Sequence, residues 1–163
     1  MFSYFKFFII ILSLSIFSLG YSNSNNEIKL IDYGVIKPLL KDTLSKRLLT
    51  IFNDICEIIK IHKPKIFVIE DIFYGKNVKS AMRLGQARGA AMVAAAFNEV
   101  PIYEYSARKV KQSITGNGNA HKEQVQFMVK ARLGMDVMHE PIDASDALAV
   151  ALCHQSQFKN MDL

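Results

Sequence analysis

Ile66-Phe67-Val68-Ile69 is an unbroken apolar run closed by Pro64 on one side and by Glu70-Asp71 on the other. Four such residues are too few for a helix and leave no polar face for water, so the run reads as a central strand covered on both sides. A chain built around it needs helices above and below a sheet. The flanking patterns supply them. From Thr43 to His62 the positions Leu44, Leu48, Ile51, Ile55, Ile58 and Ile59 recur at three and four, an amphipathic helix stopped by Pro64. A second helix is expected from Asn77 to Asn98, a strand over Ile102 to Tyr105, and helices over Ser106 to Thr115, Ala120 to Leu133 and Pro141 to His154, with Gly116-Asn117-Gly118-Asn119 as a loop. Alternation of this kind specifies an α/β fold with a mixed sheet.

The helix over Asn77 to Asn98 contains L-G-Q-A-R-G-A-A-M-V-A-A-A, with two interior glycines that each cost about 1 kcal/mol relative to alanine. Small residues in such number permit close backbone approach, first of all to the sheet. A subunit contact on the same helix is compatible with that. At 163 residues, half of them hydrophobic, the chain is long enough for one domain over residues 1–163, and no repeat, low-complexity tract or linker divides it. Residues 155–163 read as a short tail. Cys56 and Cys153 lie on apolar helix faces without metal-ligand spacing, as reduced core thiols of a cytoplasmic protein do.

The amino end has two readings. Lys6 followed by the run Phe7 to Leu19, with Ser18-Leu19-Gly20 after it, resembles the charged and apolar regions of a secretory signal over residues 6–19. The same residues are β-branched and aromatic, as in a buried first strand followed by a second strand or turn. The run is shorter than the roughly 20 residues a membrane-spanning helix needs, so no membrane association is expected. Asn23-Ser24-Asn25-Asn26 marks a turn, and Ile28, Leu30, Tyr33 and Val35 alternate as a further strand.

Three acidic residues stand where chemistry is done in such folds. Glu70 ends the central strand, at the sheet edge where α/β proteins place their sites. Asp143 and Asp146 lie three residues apart at the start of an otherwise apolar helix, hence on one face. Each also has a bland explanation: acidic first turns suit the helix dipole, and strand-end carboxylates are commonly just solvated. Phe73, Lys76, Asn77, Lys79 and Arg83 follow Glu70 as an aromatic and basic group suited to stacking on bases and holding phosphates, whereas Arg108 and Lys111 on one later helix and Lys122 on the next are of a kind that is normally just solvated. Lys and Arg outnumber Asp and Glu by 20 to 15, and the pI is about 9.2, which tilts the partners towards polyanions. His121, His139 and His154 receive no role.

Five strings in this order resemble the RuvC-type crossover-junction endodeoxyribonucleases: I-D-Y-G-V-I-K-P, F-V-I-E-D-I-F-Y-G-K-N-V-K-S-A, L-G-Q-A-R-G, Y-E-Y-S-A-R-K-V-K-Q and D-A-S-D-A-L-A, spanning about Ile28 to His154. The resemblance implies a ribonuclease-H-like mixed five-stranded sheet with helices on both faces, and resolution of four-way (Holliday) DNA junctions in recombination and repair. It implies Glu70, Asp143 and Asp146 as metal ligands for Mg²⁺, or Mn²⁺ in its place, with two ions per site. It implies Phe73 inserting at the crossover, Lys111 and Lys122 near the scissile phosphate, a homodimer through the helix over Asn77 to Asn98, and a branch-migration helicase complex as partner.

One departure stands out. The family's first strand carries Ile-Asp-Pro-Gly ahead of a Gly-Tyr pair, and aligning that pair on Gly20-Tyr21 places Ser13 at the Asp. A hydroxyl there replaces a charged ligand, so a single ion per site and slowed cleavage, by roughly a hundredfold or more, are expected. The alternative function is a junction-binding protein of the same fold that does not cut. The alignment also favours the strand reading of residues 1–27, as divergent first strands, over the secretory one. Asp32, inside I-D-Y-G-V, and Asp71, on the opposite side of the strand from Glu70, are assigned no catalytic part.

Overall fold

The structure, a computed structural model, describes residues 5–11, 16–22, 28–71, 78–134 and 144–159. Its strands are β1 (Phe5–Ile11), β2 (Ile16–Ser22), β3 (Ile28–Val35), β4 (Ile66–Asp71) and β5 (Ile102–Ser106). Its helices are α1 (Leu44–His62), α2 (Val78–Phe97), α3 (Ala107–Thr115), α4 (Lys122–Leu133) and α5 (Ala144–Lys159). The strands form one mixed sheet in the order β3-β2-β1-β4-β5. β1, β2 and β3 pair antiparallel as a meander, while β4 lies parallel between β1 and β5. The described parts of the apolar amino-terminal run are therefore strand, as one of its two readings required. Among the described residues, no helix is long and apolar enough to cross a membrane.

β4 explains the layering. Phe67, Val68 and Ile69 are fully buried, and their alternate side chains enter two separate cores. Phe67 and Ile69 pack with Ile51, Ile55 and Ile59 of α1 and Ala91, Ala94 and Ala95 of α2. Ile66 and Val68 pack on the other face with Val110 and Ile114 of α3, Val125 and Val129 of α4, and the α5 run Ala147 to Cys153. Each large side chain so buried contributes roughly 1.5–3 kcal/mol relative to leaving it exposed. Cys56 and Cys153 are buried free thiols in these two cores.

Local chemistry ends the helices where the sequence indicates. Thr43 caps α1 by accepting from the Lys46 backbone N–H, and Lys63 closes it in the left-handed conformation ahead of Pro64. Ser106 caps α3 through the Lys109 N–H, and Gly116 ends it at φ 77°, a conformation that favours glycine. Two expectations need correction. α5 does not stop at His154 but continues to Lys159, because Gln155 is buried and neither glycine nor proline follows; part of the expected tail is helix. And close packing of α2 on the sheet rests on Ala91, Ala94 and Ala95, whereas a Cβ added at Gly85 or Gly89 would meet nothing within 4 Å.

Candidate functional site

The two-residue period of β4 determines where Glu70 points. It shares parity with Ile66 and Val68, so its side chain belongs to the α3–α5 face, while Asp71 falls on the α1–α2 face. On the first face α5 carries Asp146 in its opening turn, α3 carries Lys111 and α4 begins with Lys122. Glu70, Lys111, Lys122 and Asp146 line one cleft of about 250 Å³ whose apolar wall includes Val110, Val125, Ala149 and Val150. Residues from four elements, separated by up to half the chain, thus meet at the carboxyl end of β4.

The charges in this cleft are coupled. Burial raises the Glu70 carboxyl above its ordinary value, the Asp146 carboxylate raises it further, and Lys111 partly offsets both. Lys122 Nζ lies 3.1 Å from Asp146 Oδ2, with both side chains partly exposed. Two repelling carboxylates in a half-enclosed cleft are oxygen donors suited to a hard divalent cation. Among the described residues no group of three His, Cys, Asp or Glu side chains gathers. Asp143, the third acid expected from the sequence, lies outside the described residues, as do Ser13, Phe73, Lys76, Asn77 and the turn expected at Asn23 to Asn26.

The register of the first strand bears on the missing acid. Ile9 pairs with Val68 and Ile10 with Ile69, so Ile11, the last residue of β1, stands next in line beside Glu70. The stretch from Met1 to Asn26 contains no carboxylate at all. Asp32 does not replace one: it lies on edge strand β3, three strand spacings or about 14 Å from β4. The remaining basic candidates sit outside the cleft. Lys79 and Arg83 are exposed on the opening turns of α2, and exposed Arg108 packs its aliphatic stem beside Gly118.

Two sets of contacts went unread in the sequence. Arg88 of α2 donates from Nε to the Glu70 carbonyl oxygen at 3.3 Å, pairs with Glu104, and lies 3.9 Å from Asp71. It braces the end of β4 from the face opposite the cleft, and its only sequence signal is its place in L-G-Q-A-R-G. On the cleft face, Tyr105 of β5 bonds His154 of α5 across 2.8 Å.

Comparison with known proteins gives a consistent result. The sequence model of the family described as "Crossover junction endodeoxyribonuclease RuvC" matches residues 17–154. A protein of that description from Caldicellulosiruptor saccharolyticus is 44% identical over 133 residues, 82% of this chain and 80% of the relative. One from Saccharophagus degradans is 52% identical over 121 residues, 74% of this chain and 69% of the relative. The solved structure of Thermus thermophilus RuvC in complex with Holliday junction substrate superposes with a TM-score of 0.85 at 28% identity, covering 96% of each chain.

Proposed function

Because the chain belongs to the RuvC family of crossover junction endodeoxyribonucleases, we propose that it cuts four-way DNA junctions by metal-dependent phosphodiester hydrolysis, nicking two strands symmetrically. The observation that carries this reading is the convergence of Glu70 and Asp146 with Lys111 and Lys122 in one cleft. Glu70, Asp146 and Asp143 hold Mg²⁺ or Mn²⁺, as two ions or, with Ser13 in the family's acid position, one. When bound, such ions supply an activated water and stabilise the leaving oxygen. Lys111 and Lys122 orient the scissile phosphate beside the carboxylates, and Lys122 neutralises Asp146 in the free chain. Phe73 stacks at the crossover, while Lys76, Asn77, Lys79, Arg83 and Arg108 hold backbone phosphates. A synthetic four-way junction incubated with and without Mg²⁺ tests this: paired nicks that require the ion support it, and their absence with every divalent metal contradicts it.

Each lysine in the cleft has a separate expected effect. Lys111→Ala or Lys122→Ala weakens junction binding and reduces the slope of log K against log salt by about 1, as loss of one phosphate contact does. Fluorescence anisotropy across a salt series reads it, and an unchanged slope removes that lysine from the interface.

Symmetric nicking calls for a two-fold dimer. α2 presents Val78, Met82, Val93 and Phe97 as exposed apolar residues, with open Gly85 and Gly89 between them at helical spacing. A second α2 packed on that stripe gives the dimer. The Met82→Glu/Val93→Glu chain is expected to sediment as a monomer where the unaltered chain sediments as a dimer; equal sedimentation contradicts this interface. A cytoplasmic location and a branch-migration helicase partner belong to the same reading.

The alternative, a junction-binding protein that does not cut, is favoured by one observation: the first 26 residues offer no carboxylate to stand beside Glu70. Binding without nicking under any divalent metal distinguishes it.

A further inference from the structure

We propose that Tyr105 and His154 are positioning residues, a clasp that fixes the separation of Glu70 on β4 from Asp146 on α5. The inference rests on the reading of those two carboxylates as a cation-binding pair. Tyr105 is the register partner of Glu70 in the neighbouring parallel strand, so both side chains leave the sheet on the same face at the same level. His154 follows Asp146 on α5 by rather more than two turns, roughly 12 Å along the axis. The bond from Tyr105 Oη to His154 Nδ1, at 2.8 Å, therefore ties the Glu70 level of the sheet directly to the helix that carries Asp146. Ring contacts reinforce it: the His154 centroid lies 5.7 Å from Tyr105 edge-on and 4.7 Å from Tyr103.

Burial pushes the His154 imidazole down to about 4, so the ring is neutral and one of its two tautomers pairs with the hydroxyl. Tyr105 is pushed up to about 12, chiefly by burial and then by Cys153 and Tyr103, so its hydroxyl stays protonated.

A directional contact matters here because much of the α5 interface is apolar. Ala147, Leu148, Val150 and Leu152 pack apolar surface that tolerates a slide along the helix axis. Of the other polar ties of α5, Lys122 to Asp146 is half-exposed and weak, and Cys153 Sγ to the Lys109 carbonyl oxygen is long at 3.9 Å. A cation shared by carboxylates on two elements requires their placement to within about 0.5 Å.

Tyr105→Phe deletes the hydroxyl and keeps the ring. It is expected to weaken Mn²⁺ affinity, measured by electron paramagnetic resonance on the DNA-free chain, by about tenfold, the usual size for an outer partner of a ligand. His154→Leu should match it, and His154→Asn, whose amide can pair with the hydroxyl in place of Nδ1, should recover most of the loss. Junction affinity should stay within about twofold, since neither residue reaches the basic surface. A crystal structure of metal-free Tyr105→Phe supplies a reading that does not depend on cation binding: the Glu70-to-Asp146 separation should change by more than about 0.5 Å. An unchanged separation overturns the clasp, as does unchanged Mn²⁺ affinity accompanied only by a lower unfolding midpoint. If the unaltered chain holds no Mn²⁺, the cation reading itself fails, and the carboxylate separation alone decides the clasp.

Discussion

Glu70→Gln is expected to reduce metal-dependent junction cleavage by about a thousandfold while making the protein more stable at neutral pH. The loss follows from removing one of the charged oxygens that define the cation position: ligation of this kind is worth several kcal/mol at the transition state, and about 4 kcal/mol is a factor of roughly a thousand. The gain in stability follows from the same environment. The Glu70 carboxyl is raised by burial and by Asp146, so the folded chain prefers it protonated. Its favourable contribution is present in acid and is lost as pH rises through the raised value. Glutamine removes the unfavourable charge, so the variant's advantage in urea midpoint should appear above the ordinary carboxylate range and vanish below it. A variant that loses cleavage but is equally stable at every pH would mean that Glu70 is not held against its preference. One that keeps cleavage would remove it from the site.

The second large effect runs in the opposite direction. Ser13→Asp should raise the cleavage rate by about a hundredfold or more, because it returns a carboxylate to the position where the family's first acid aligns. Single-turnover cleavage of a labelled junction measures it. If the new carboxylate joins Glu70 and Asp146, which already repel, the midpoint of unfolding without metal should fall and recover when Mn²⁺ is added. No gain in rate, with junction binding intact, would point to a departure beyond one residue. The Glu70→Gln comparison is also best made in the Ser13→Asp chain, where the starting rate is higher.

Glu70 and Asp146 were legible in the sequence because their placement depends on local periods. A two-residue alternation through Ile66, Val68 and Glu70 selects the face, and an apolar helix with an acidic first turn brings Asp146 to it. Lys111 and Lys122 needed the family resemblance, since lysines on amphipathic helices carry no mark of the cleft they border. The glycines of α2 misled in a specific way. Small residues signal close approach without saying which face is approached, and only the packed helix separates Ala91, Ala94 and Ala95 on the sheet from Gly85 and Gly89 on the open side.

Arg88 and the Tyr105–His154 bond were not legible at all. Each depends on how far a helix slides and turns over the sheet, a quantity fixed by the whole core and not by any window of sequence. His154 in particular lies within an apolar helix, where a histidine is more often packing than function. Its meaning comes from Tyr105, nearly fifty positions earlier in the chain and adjacent to Glu70 only through strand register. Asp32, assigned no part from the sequence, lies on β3 at the sheet edge, in keeping with that reading.

Whether Glu70 and Asp146 hold one cation beside bound DNA is decided by Mn²⁺ titration of the chain in complex with a non-cleavable phosphorothioate four-way junction, followed by electron paramagnetic resonance. Glu70→Gln and Asp146→Asn should each abolish or weaken the same class of bound Mn²⁺ by at least tenfold, leaving junction affinity intact. Bound Mn²⁺ that survives both substitutions unchanged would contradict a shared site.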